Sequence, residues 1–555
     1  MPLYDGDRYL SFPELEARCR QLAAEHPEWV LLDEVGRTDG DRPIHLLTIG
    51  RNDGQADTRP GFWLDGGTHA AEWAGVMAAL YAACRWVEEL ATDEALRAWF
   101  SRHTVYVMPC VSPDGFQALV EGAPFLRSTL RPPPDGAPRA GLDPQDVDGD
   151  GVVRWMRFRH PAGTHVPDAD NPLFMRPRRV DDDPAEAHFY CAEGRFLNWD
   201  GRRWVDAPRQ FGLDLNRNFP SSWAPFSMFG MDGGAYPLSA PESRAVVDAF
   251  AARPRIAAAL TNHTYTGALL TQPYREDSPL SAGDIAMMEG LANQAVEDTG
   301  YRVYRVFPDF TYDKDKAIVG VWSDTLSTTF GVPGYTLELW DPYGHCGVEV
   351  SDPARFFRRP DIDVIRQMLQ VFGTAAYNAT PWTPVEHPQL GPVEIGGIDY
   401  MRTIRNPPLV LLPGECRRAF TVADRMRRAL PRVVASVSVS EGPVACVELV
   451  LENLGMLSTS GLAHAEKTGA CRAVSATLIP GEGVELVSGV PGQRLTHMDG
   501  WGVFAMGLAS NPLYPGLPAR GHRSVARWWV RGEGRVRILW QGGRGGEGAL
   551  SVEVS

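Results

Sequence analysis

Two residues that could bind a metal ion lie three positions apart, between a predicted strand and a predicted helix. The segment PGFWLDGG (60–67) is short, apolar and closed by two glycines, which is typical of a buried strand that runs into a turn. Apolar residues recur at helical spacing after Glu72. His69 and Glu72 therefore lie at a junction where loops commonly carry functional side chains, although one such pair is a weak signal by itself.

Two further segments could complete a catalytic zinc site, which typically has three protein ligands and an open position. His263 closes the apolar run AALTNH and is a candidate third ligand, or else a buried structural histidine. Glu338 lies inside the apolar segment GVPGYTLELW, where an unpartnered carboxylate would be costly to bury. We interpret it as a candidate general base; the alternative is an edge-strand residue that faces solvent.

The segment GLDLNRNFP (212–220) supplies partners for such a site and for a substrate. Asp214 can accept a hydrogen bond from the second ring nitrogen of a ligating histidine, a role that metal sites usually require. Asn216 and Arg217 are hydrogen-bond donors suited to a carboxylate, and the arginine presents a planar fork.

Taken in order, the motifs HAAE, DLNRNF, TNHTY and TLEL resemble the zinc metallocarboxypeptidase family (M14, carboxypeptidase A-like). The opening segment and the turn VMPCVSPDG are also similar to that family, and the resemblance covers about residues 7–375. Four ordered motifs are far more specific than any one of them.

The resemblance implies a role for each matched residue. It implies that a single Zn²⁺ ion is bound by three side chains, and that Glu338 deprotonates the zinc-bound water and later protonates the leaving amine. It also implies that Asn216 and Arg217 grip the C-terminal carboxylate of a peptide, and that Asp214 orients the first histidine. The implied zinc ligands are His69, Glu72 and His263.

The arginine that stabilises the oxyanion in this family follows an aromatic residue or methionine upstream of the N-R motif. The segment GDGVVRWMRFRHP offers Arg157 for this catalytic role, with Arg154 and Arg159 as rivals. Our prediction for the oxyanion-stabilising residue is Arg157.

Other positions depart from the family pattern. Ala71 stands where family members often have an arginine between the first histidine and the glutamate. Tyr265 and Tyr312 are candidate substrate contacts; Tyr312 is the nearest match to the family's mobile tyrosine but lies a few residues early. Ser323 falls near the base of the side-chain pocket, and an uncharged residue there argues against a pocket dedicated to lysine or arginine.

The order of helix-like and strand-like segments predicts two domains in the 555 residues. Residues 1–380 predict an α/β catalytic domain, with a mixed central sheet flanked by helices and a long loop insertion at about 121–210. Residues 381–555 contain short alternating strands and predict a β-rich accessory domain, a β-sandwich.

Composition limits the partners and the compartment. The formal charge of −15 disfavours nucleic acid and anionic membrane surfaces as partners. No apolar run is long enough to span a bilayer, no signal-peptide pattern opens the chain, and the eight cysteines lack paired spacings. These features predict a cytoplasmic protein with reduced thiols.

The segment DVDGDG (146–151) resembles the start of a calcium loop, with Asp146, Asp148 and Asp150 as possible Ca²⁺ ligands. The twelfth position of an EF-hand requires glutamate, and here that place is Arg157, which excludes a full EF-hand. An Asp/Gly turn is the simpler interpretation.

We therefore expect a zinc-dependent exopeptidase that removes the C-terminal residue of peptides or small amino-acid conjugates with a free carboxylate. One alternative is a related zinc amidohydrolase that acts on isopeptides, peptidoglycan stems or acyl-amino acids. Another is a catalytically inactive binding module on the same fold, which would be expected to have lost a ligand or the base.

Overall fold

The computed structural model describes residues 3–123, 125–132, 139–228, 231–311, 318–349, 361–502, 513 and 521–555. Tyr312 lies outside the described residues. Within the described residues, no helix has both the length and the apolar character needed to cross a membrane.

The α-helices lie mostly in the first 430 residues. In chain order they are α1 (Phe12–Glu25), α2 (Trp73–Leu90), α3 (Glu94–Phe100), α4 (Pro113–Val120), α5 (Pro241–Ala251), α6 (Ala282–Val296), α7 (Val306–Asp309), α8 (Trp322–Thr328), α9 (Pro342–His345), α10 (Ile362–Phe372), α11 (Leu412–Arg428) and α12 (Ala463–Thr468).

The strands occur throughout the chain and dominate its last part. They are β1 (Val30–Arg37), β2 (Pro43–Ile49), β3 (Gly61–Gly66), β4 (Thr104–Met108), β5 (Gly141–Pro144), β6 (Trp155–Arg159), β7 (His165–Pro167), β8 (Met175–Pro177), β9 (His188–Ala192), β10 (Gly194–Leu197), β11 (Ser227–Met228), β12 (Met231–Asp232), β13 (Ile256–Thr264), β14 (Ala268–Thr271), β15 (Arg302–Arg305), β16 (Gly334–Leu339), β17 (Thr380–His387), β18 (Gly391–Gly397), β19 (Val433–Val439), β20 (Ala445–Asn453), β21 (Val474–Pro480), β22 (Val484–Ser488), β23 (Gly492–Leu495), β24 (Arg523–Gly532), β25 (Gly534–Gly542) and β26 (Glu547–Val554).

A mixed eight-stranded sheet forms the centre of the first part, in the order β1-β2-β4-β3-β13-β16-β14-β15. Strands β4, β3, β13 and β16 run parallel to one another. Helix α2 is buried along nearly its whole length, and it packs against β3 and β13. Strands covered on both faces read as continuous apolar runs, as β3 and β13 do. The predicted mixed α/β fold is confirmed.

The insertion at 121–210 is more regular than we predicted. Strands β6, β7, β8 and β9 from this stretch join β17 and β18 in a six-stranded sheet, and β5 pairs with β10. These strands are three to five residues long, and two of their partners follow about 200 residues later in the chain. Strands that short carry little periodicity, so composition alone suggested loops.

Strand pairing and helix packing cross the boundary that we predicted at residue 380. Strands β17 and β18 extend the sheet of the insertion, and Glu394 of β18 lies opposite Arg157 of β6. Helix α11 packs against α2 and α6, and Trp86 Nε1 of α2 donates to Asp424 Oδ1 of α11 at 2.9 Å. We propose that the catalytic unit extends to about residue 430.

The last part of the chain forms two four-stranded sheets, β19-β20-β24-β22 and β23-β21-β25-β26, around a common apolar core. This arrangement confirms the β-sandwich. Its buried Arg544 donates to the carbonyl oxygens of Ile256 at 2.6 Å and Phe330 at 2.6 Å. Ile256 begins β13, about 23 Å from His263 at 3.3 Å per residue. The sandwich therefore contacts the end of β13 opposite His263.

Candidate metal centre

The candidate ligands and base lie at the carboxyl ends of three adjacent strands. His69 follows β3 by three residues, His263 is the next-to-last residue of β13, and Glu338 lies near the end of β16. The register places His263 opposite Glu338. In parallel α/β sheets these ends form the crevice in which sites are usually built.

Two glycines bring Glu72 to the same place. A Cβ atom on Gly75 would lie 2.7 Å from the carbonyl oxygen of Asn262, and one on Gly66 would lie 2.5 Å from that of Gly75. The start of α2 therefore packs directly on the ends of β3 and β13, an approach that only glycine permits. As a result, Glu72 at the helix N-cap lies beside His263.

Three side chains present potential ligand atoms to one another in a buried cluster. His263 Nδ1 lies 3.0 Å from His69 Nδ1 and 2.9 Å from Glu72 Oε2, and His69 Nδ1 lies 3.0 Å from Glu72 Oε1. All three residues are at most 3% exposed. Two imidazole nitrogens that face each other beside a carboxylate are better satisfied by a cation than by one shared proton, and His₂Glu is a zinc-binding set. These residues fit a zinc ion.

Asp214 holds His69 from the other side. Its Oδ1 lies 3.1 Å from His69 Nε2 and also accepts the backbone N–H of Asn216 at 3.0 Å. Burial raises the pKa of Asp214, but the charges of Arg217, His69 and Arg127 outweigh it and hold this pKa far below its usual range. The ionised carboxylate therefore directs the His69 Nδ1 atom toward the cluster.

We expect the Asp214→Asn variant to bind zinc about 10- to 100-fold more weakly, because the partner that orients His69 is lost. Competition with a chelator of known affinity would measure the change on the full chain. Asp114→Asn is a matched control, since its buried carboxylate pairs with Arg42 at 2.8 Å and should leave zinc affinity unchanged. Equal affinities of the two variants would contradict this role.

Glu338 is surrounded by charges of both signs. Burial and the neighbouring Glu72 carboxylate raise the pKa of Glu338 to about 8, against the opposing effect of Arg127, Arg405 and Arg217. Glu338 is therefore a largely buried carboxyl group directly opposite His263 in the strand register, next to the cluster.

A family model described as zinc carboxypeptidase matches residues 15–152 and 189–346, which is more than half of the chain. The chain belongs to the zinc carboxypeptidase family. This confirms the family resemblance of the sequence motifs. A second model, described as a domain of unknown function, matches residues 433–553.

Similarity to individual relatives is limited in extent. The chain is 33% identical over 112 residues to carboxypeptidase B of Astacus astacus, covering 20% of this chain and 35% of the relative. It is 33% identical over 115 residues to zinc carboxypeptidase A 1 of Anopheles gambiae, covering 20% and 25%. The chain thus spans about a third or less of these relatives.

Solved structures were also compared. Thrombin-activatable fibrinolysis inhibitor gives a TM-score of 0.43 at 15% identity, covering 76% of this chain and 74% of that chain. Carboxypeptidase A of Helicoverpa armigera gives a TM-score of 0.40 at 19% identity, covering 67% and 75%.

The structure does not place Arg157 with the cluster of His69, Glu72 and His263. Arg157 lies on β6, where its Nε donates to Glu394 at 2.8 Å and its guanidinium lies 4.3 Å from the centre of the Trp382 ring. Arg127 lies beside the cluster instead, with Nη1 2.8 Å from Glu72 Oε1. The insertion carries β6, and with it Arg157, into a separate sheet.

Arg127 is held in place by its own neighbours. The hydroxyl of the adjacent Ser128 accepts the backbone N–H of Leu215 at 3.1 Å, which ties this loop to the segment that carries Asp214. The Arg127 Nε atom lies 3.6 Å from Asp214 Oδ2. The weak sequence signal was an arginine after the apolar pair Phe125–Leu126, upstream of the N-R motif.

Asn216 and Arg217 lie in a short 3₁₀ turn, Leu215–Arg217, that has Asp214 as its N-cap. The Asn216 side chain accepts the backbone N–H of Trp322 at 3.0 Å, and Arg217 Nη1 donates to the Asn216 carbonyl at 2.6 Å. Arg217 is 7% exposed, its Nε has no hydrogen-bond partner, and among the described residues no carboxylate forms an ion pair with it. Such a guanidinium can donate hydrogen bonds to the carboxylate of a ligand.

The remaining predicted contacts are placed as follows. Tyr265 follows the end of β13, and its ring lies 5.1 Å from the Arg405 guanidinium. Arg154, a rival to Arg157, donates to Asp150, and Arg159 lies 3.7 Å from Glu186. Both rivals therefore belong with the insertion.

Ser323 is fully buried, and its hydroxyl lies 2.9 Å from the hydroxyl of Thr336 and also contacts that of Tyr274. The next residue, Asp324, accepts hydrogen bonds from Ser221 and Gln272. The carboxylate adjacent to Ser323 is therefore already engaged within the protein.

The three aspartates of the DVDGDG segment lie close together, with oxygens within 4.8 Å of one another. Their carboxylates accept backbone N–H groups of the same loop, and Asp150 also accepts from Arg154. These bonds are those of an Asp/Gly turn. A calcium site is not supported here.

Proposed function

We propose that the protein is a zinc-dependent exopeptidase that removes the C-terminal residue of peptides. The observation that carries this proposal is the joint position of a His₂Glu cluster, a largely buried glutamate opposite one of its histidines, and a buried arginine that forms no ion pair with a carboxylate of the described residues. These are Glu338 and Arg217 beside the cluster of His69, Glu72 and His263. The residues that could bind a metal ion and those that could recognise a free carboxylate therefore lie together at the carboxyl ends of the central strands.

The residues have separate tasks in the proposed reaction. A zinc ion held by the cluster supplies Lewis-acid polarisation of a carbonyl oxygen and lowers the pKa of water to about 7. Asn216 and Arg217 hold the terminal carboxylate and so align the last peptide bond. Glu338 takes a proton from the attacking water and delivers it to the leaving amine. Arg127 donates to the oxygen on which negative charge develops.

The terminal carboxylate is expected to be essential for the proposed substrates. A blocked dipeptide with a free C-terminus should be hydrolysed at least about 100-fold faster, by kcat/KM, than its amide, because the amide leaves the buried Arg217 without a partner. Arg217→Gln should remove most of this difference. Release of the C-terminal residue, followed by chromatography, would measure both rates.

Two outcomes would contradict this proposal. Equal turnover of the free and amidated dipeptides would indicate an amidohydrolase that does not require the carboxylate. Full zinc loading without turnover of any C-terminal substrate, free or amidated, would indicate a binding module.

A further inference from the structure

The segment 399–406 lies in a part of the chain that neither of the two family models covers, between residues 346 and 433. It follows strand β18 and includes the π-helical turn Met401–Arg405. Its side chains contact four consecutive residues at the start of α2, which are Ala71, Glu72, Trp73 and Ala74. A segment outside the family match therefore surrounds the candidate zinc ligand Glu72.

The carboxylate of Glu72 is turned away from its own helix. Glu72 is the N-cap residue of α2, but its side chain makes no capping hydrogen bond to the described first turn of that helix. Its Oε2 instead accepts the backbone N–H of Thr264 at 3.1 Å and lies 2.9 Å from His263 Nδ1. The side chain of an N-cap residue usually accepts an N–H of the first turn. Since this carboxylate faces the cluster, the first N–H groups of α2 need an acceptor from elsewhere.

Asn406 supplies such an acceptor. It is fully buried, and its Oδ1 accepts the N–H of Ala74, the second residue of α2, at 3.0 Å. Its Nδ2 donates to the carbonyl oxygen of Ala71 at 2.9 Å and to that of Met401 at 3.0 Å. The amide thus clamps the backbone on both sides of Glu72 and ties it to the 399–406 segment.

Two arginines of the same segment contact the residues between these two alanines. Arg405 Nη1 lies 3.5 Å from Glu72 Oε1. The guanidinium of Arg402 lies 5.3 Å from the centre of the Trp73 ring. Side chains of the segment therefore hold the ligand and its neighbours as well as the backbone.

The π-helical turn also contacts the strand that carries the candidate base. The carbonyl oxygen of Thr403 accepts the Nε1–H of Trp340 at 3.1 Å. Trp340 directly follows β16, two residues after Glu338. The 399–406 segment thus joins the start of α2 to the end of β16.

We propose that Asn406 is a positioning residue of the metal centre, which takes over the capping of α2 and so leaves the Glu72 carboxylate free to bind zinc. This inference rests on the zinc site of the proposed function but not on its hydrolytic steps. Without the Asn406 amide, the N–H of Ala74 has no acceptor, and the Glu72 side chain can rotate back to cap its own helix. The cluster then holds its carboxylate ligand for a smaller fraction of the time.

A double-mutant cycle tests whether Asn406 acts through Glu72. The full-length Asn406→Ala protein should bind zinc at least about tenfold more weakly than the wild type, measured by competition with a chelator. In a Glu72→Ala background the same substitution should change zinc affinity by less than about twofold, because no carboxylate is left to position. A loss of equal size in both backgrounds would indicate a purely structural role and would overturn the proposal.

Asn453→Ala is the matched control. Asn453 is also a buried amide that clamps the backbone, since its Oδ1 accepts the N–H of Gly455 at 3.0 Å and its Nδ2 donates to the carbonyl oxygen of Leu457 at 2.9 Å. It ends β20 in the sandwich. Its variant should have a lower free energy of unfolding but keep its zinc affinity within about twofold. A loss of zinc affinity as large as that of Asn406→Ala would contradict the assignment.

A measurement on the wild-type protein decides the question even if Asn406→Ala does not fold. Coupling between two sites is reciprocal, so zinc must stabilise the contacts of Asn406 as much as those contacts stabilise bound zinc. Added zinc should therefore slow amide hydrogen exchange more in a peptide that covers residues 399–406 than in one that covers Asn453. Equal slowing in the two peptides would overturn the proposal.

These measurements need no substrate, so they separate this inference from the proposed function. Zinc binding coupled to Asn406, in a protein that hydrolyses no C-terminal substrate, would support the positioning role and reject the exopeptidase. Peptidase activity in a protein whose zinc affinity does not depend on Asn406 would support the exopeptidase and reject the positioning role.

Discussion

The Glu338→Gln variant is expected to lose about 10²- to 10⁴-fold in kcat on a blocked dipeptide while it keeps its zinc. Glutamine has the same shape but cannot take a proton from water or return one to the leaving amine. The side chain is opposite His263 in the register, and an amide of the same shape replaces the carboxyl group without creating a cavity. Steady-state kinetics and metal analysis on the same preparation would measure the two effects.

Glu242→Gln is the matched control for this experiment. Burial raises the pKa of Glu242 to about 7, so it is also a buried carboxyl group that titrates near neutrality, but it lies in the first turn of α5, away from the cluster. Its variant should retain kcat within about threefold of the wild type. A Glu338→Gln protein as active as this control would remove the general base from the mechanism.

Arg127→Gln should lower kcat by about 10²- to 10³-fold with a much smaller change in KM, the loss typical of one removed oxyanion donor. Arg127 Nη1 lies 2.8 Å from Glu72 Oε1, so the guanidinium is next to the cluster that would hold the zinc ion. Zinc content should be measured in parallel, because the same guanidinium also contacts a metal ligand.

Arg157→Gln tests the alternative that the sequence motif suggested. Because Arg157 pairs with Glu394 in another sheet, this variant should change kcat by less than about twofold. A large loss of kcat in Arg157→Gln together with an active Arg127→Gln protein would reverse the assignment and would require the insertion to move toward the cluster.

Part of the candidate site followed from local sequence. The H-x-x-E spacing at a strand-to-helix junction, a histidine that closes an apolar strand and a glutamate inside another are short-range features, and each lies at a strand end in the fold. The order of motifs predicted the family, and short alternating strands predicted the sandwich. In these cases the backbone of a single helix or strand fixes where the side chain lies. The position of the residue within that element is therefore sufficient to predict its place in the fold.

Other features depended on contacts between distant segments. The 121–210 stretch was read as loops because strands of three to five residues carry little periodicity, and their pairing with β17 and β18 is a long-range event. The boundary predicted at 380 depends on the same kind of signal: the Pro/Gly-rich segment that resembles a linker contains β17 and β18, and the pairing of β18 with β6 is not visible in composition.

By itself, the sequence predicted the candidate ligand types, their positions at strand ends and the glutamate inside an apolar run, since each of these is set within a single element. The order of the motifs along the chain predicted the family. Only the tertiary structure decided which arginines face the cluster. Arg127 and Arg405 lie in irregular segments, and a long flexible guanidinium can reach several places from any one backbone position. Its location is therefore selected by the ion pairs and packing that folding brings together, not by spacing along the chain.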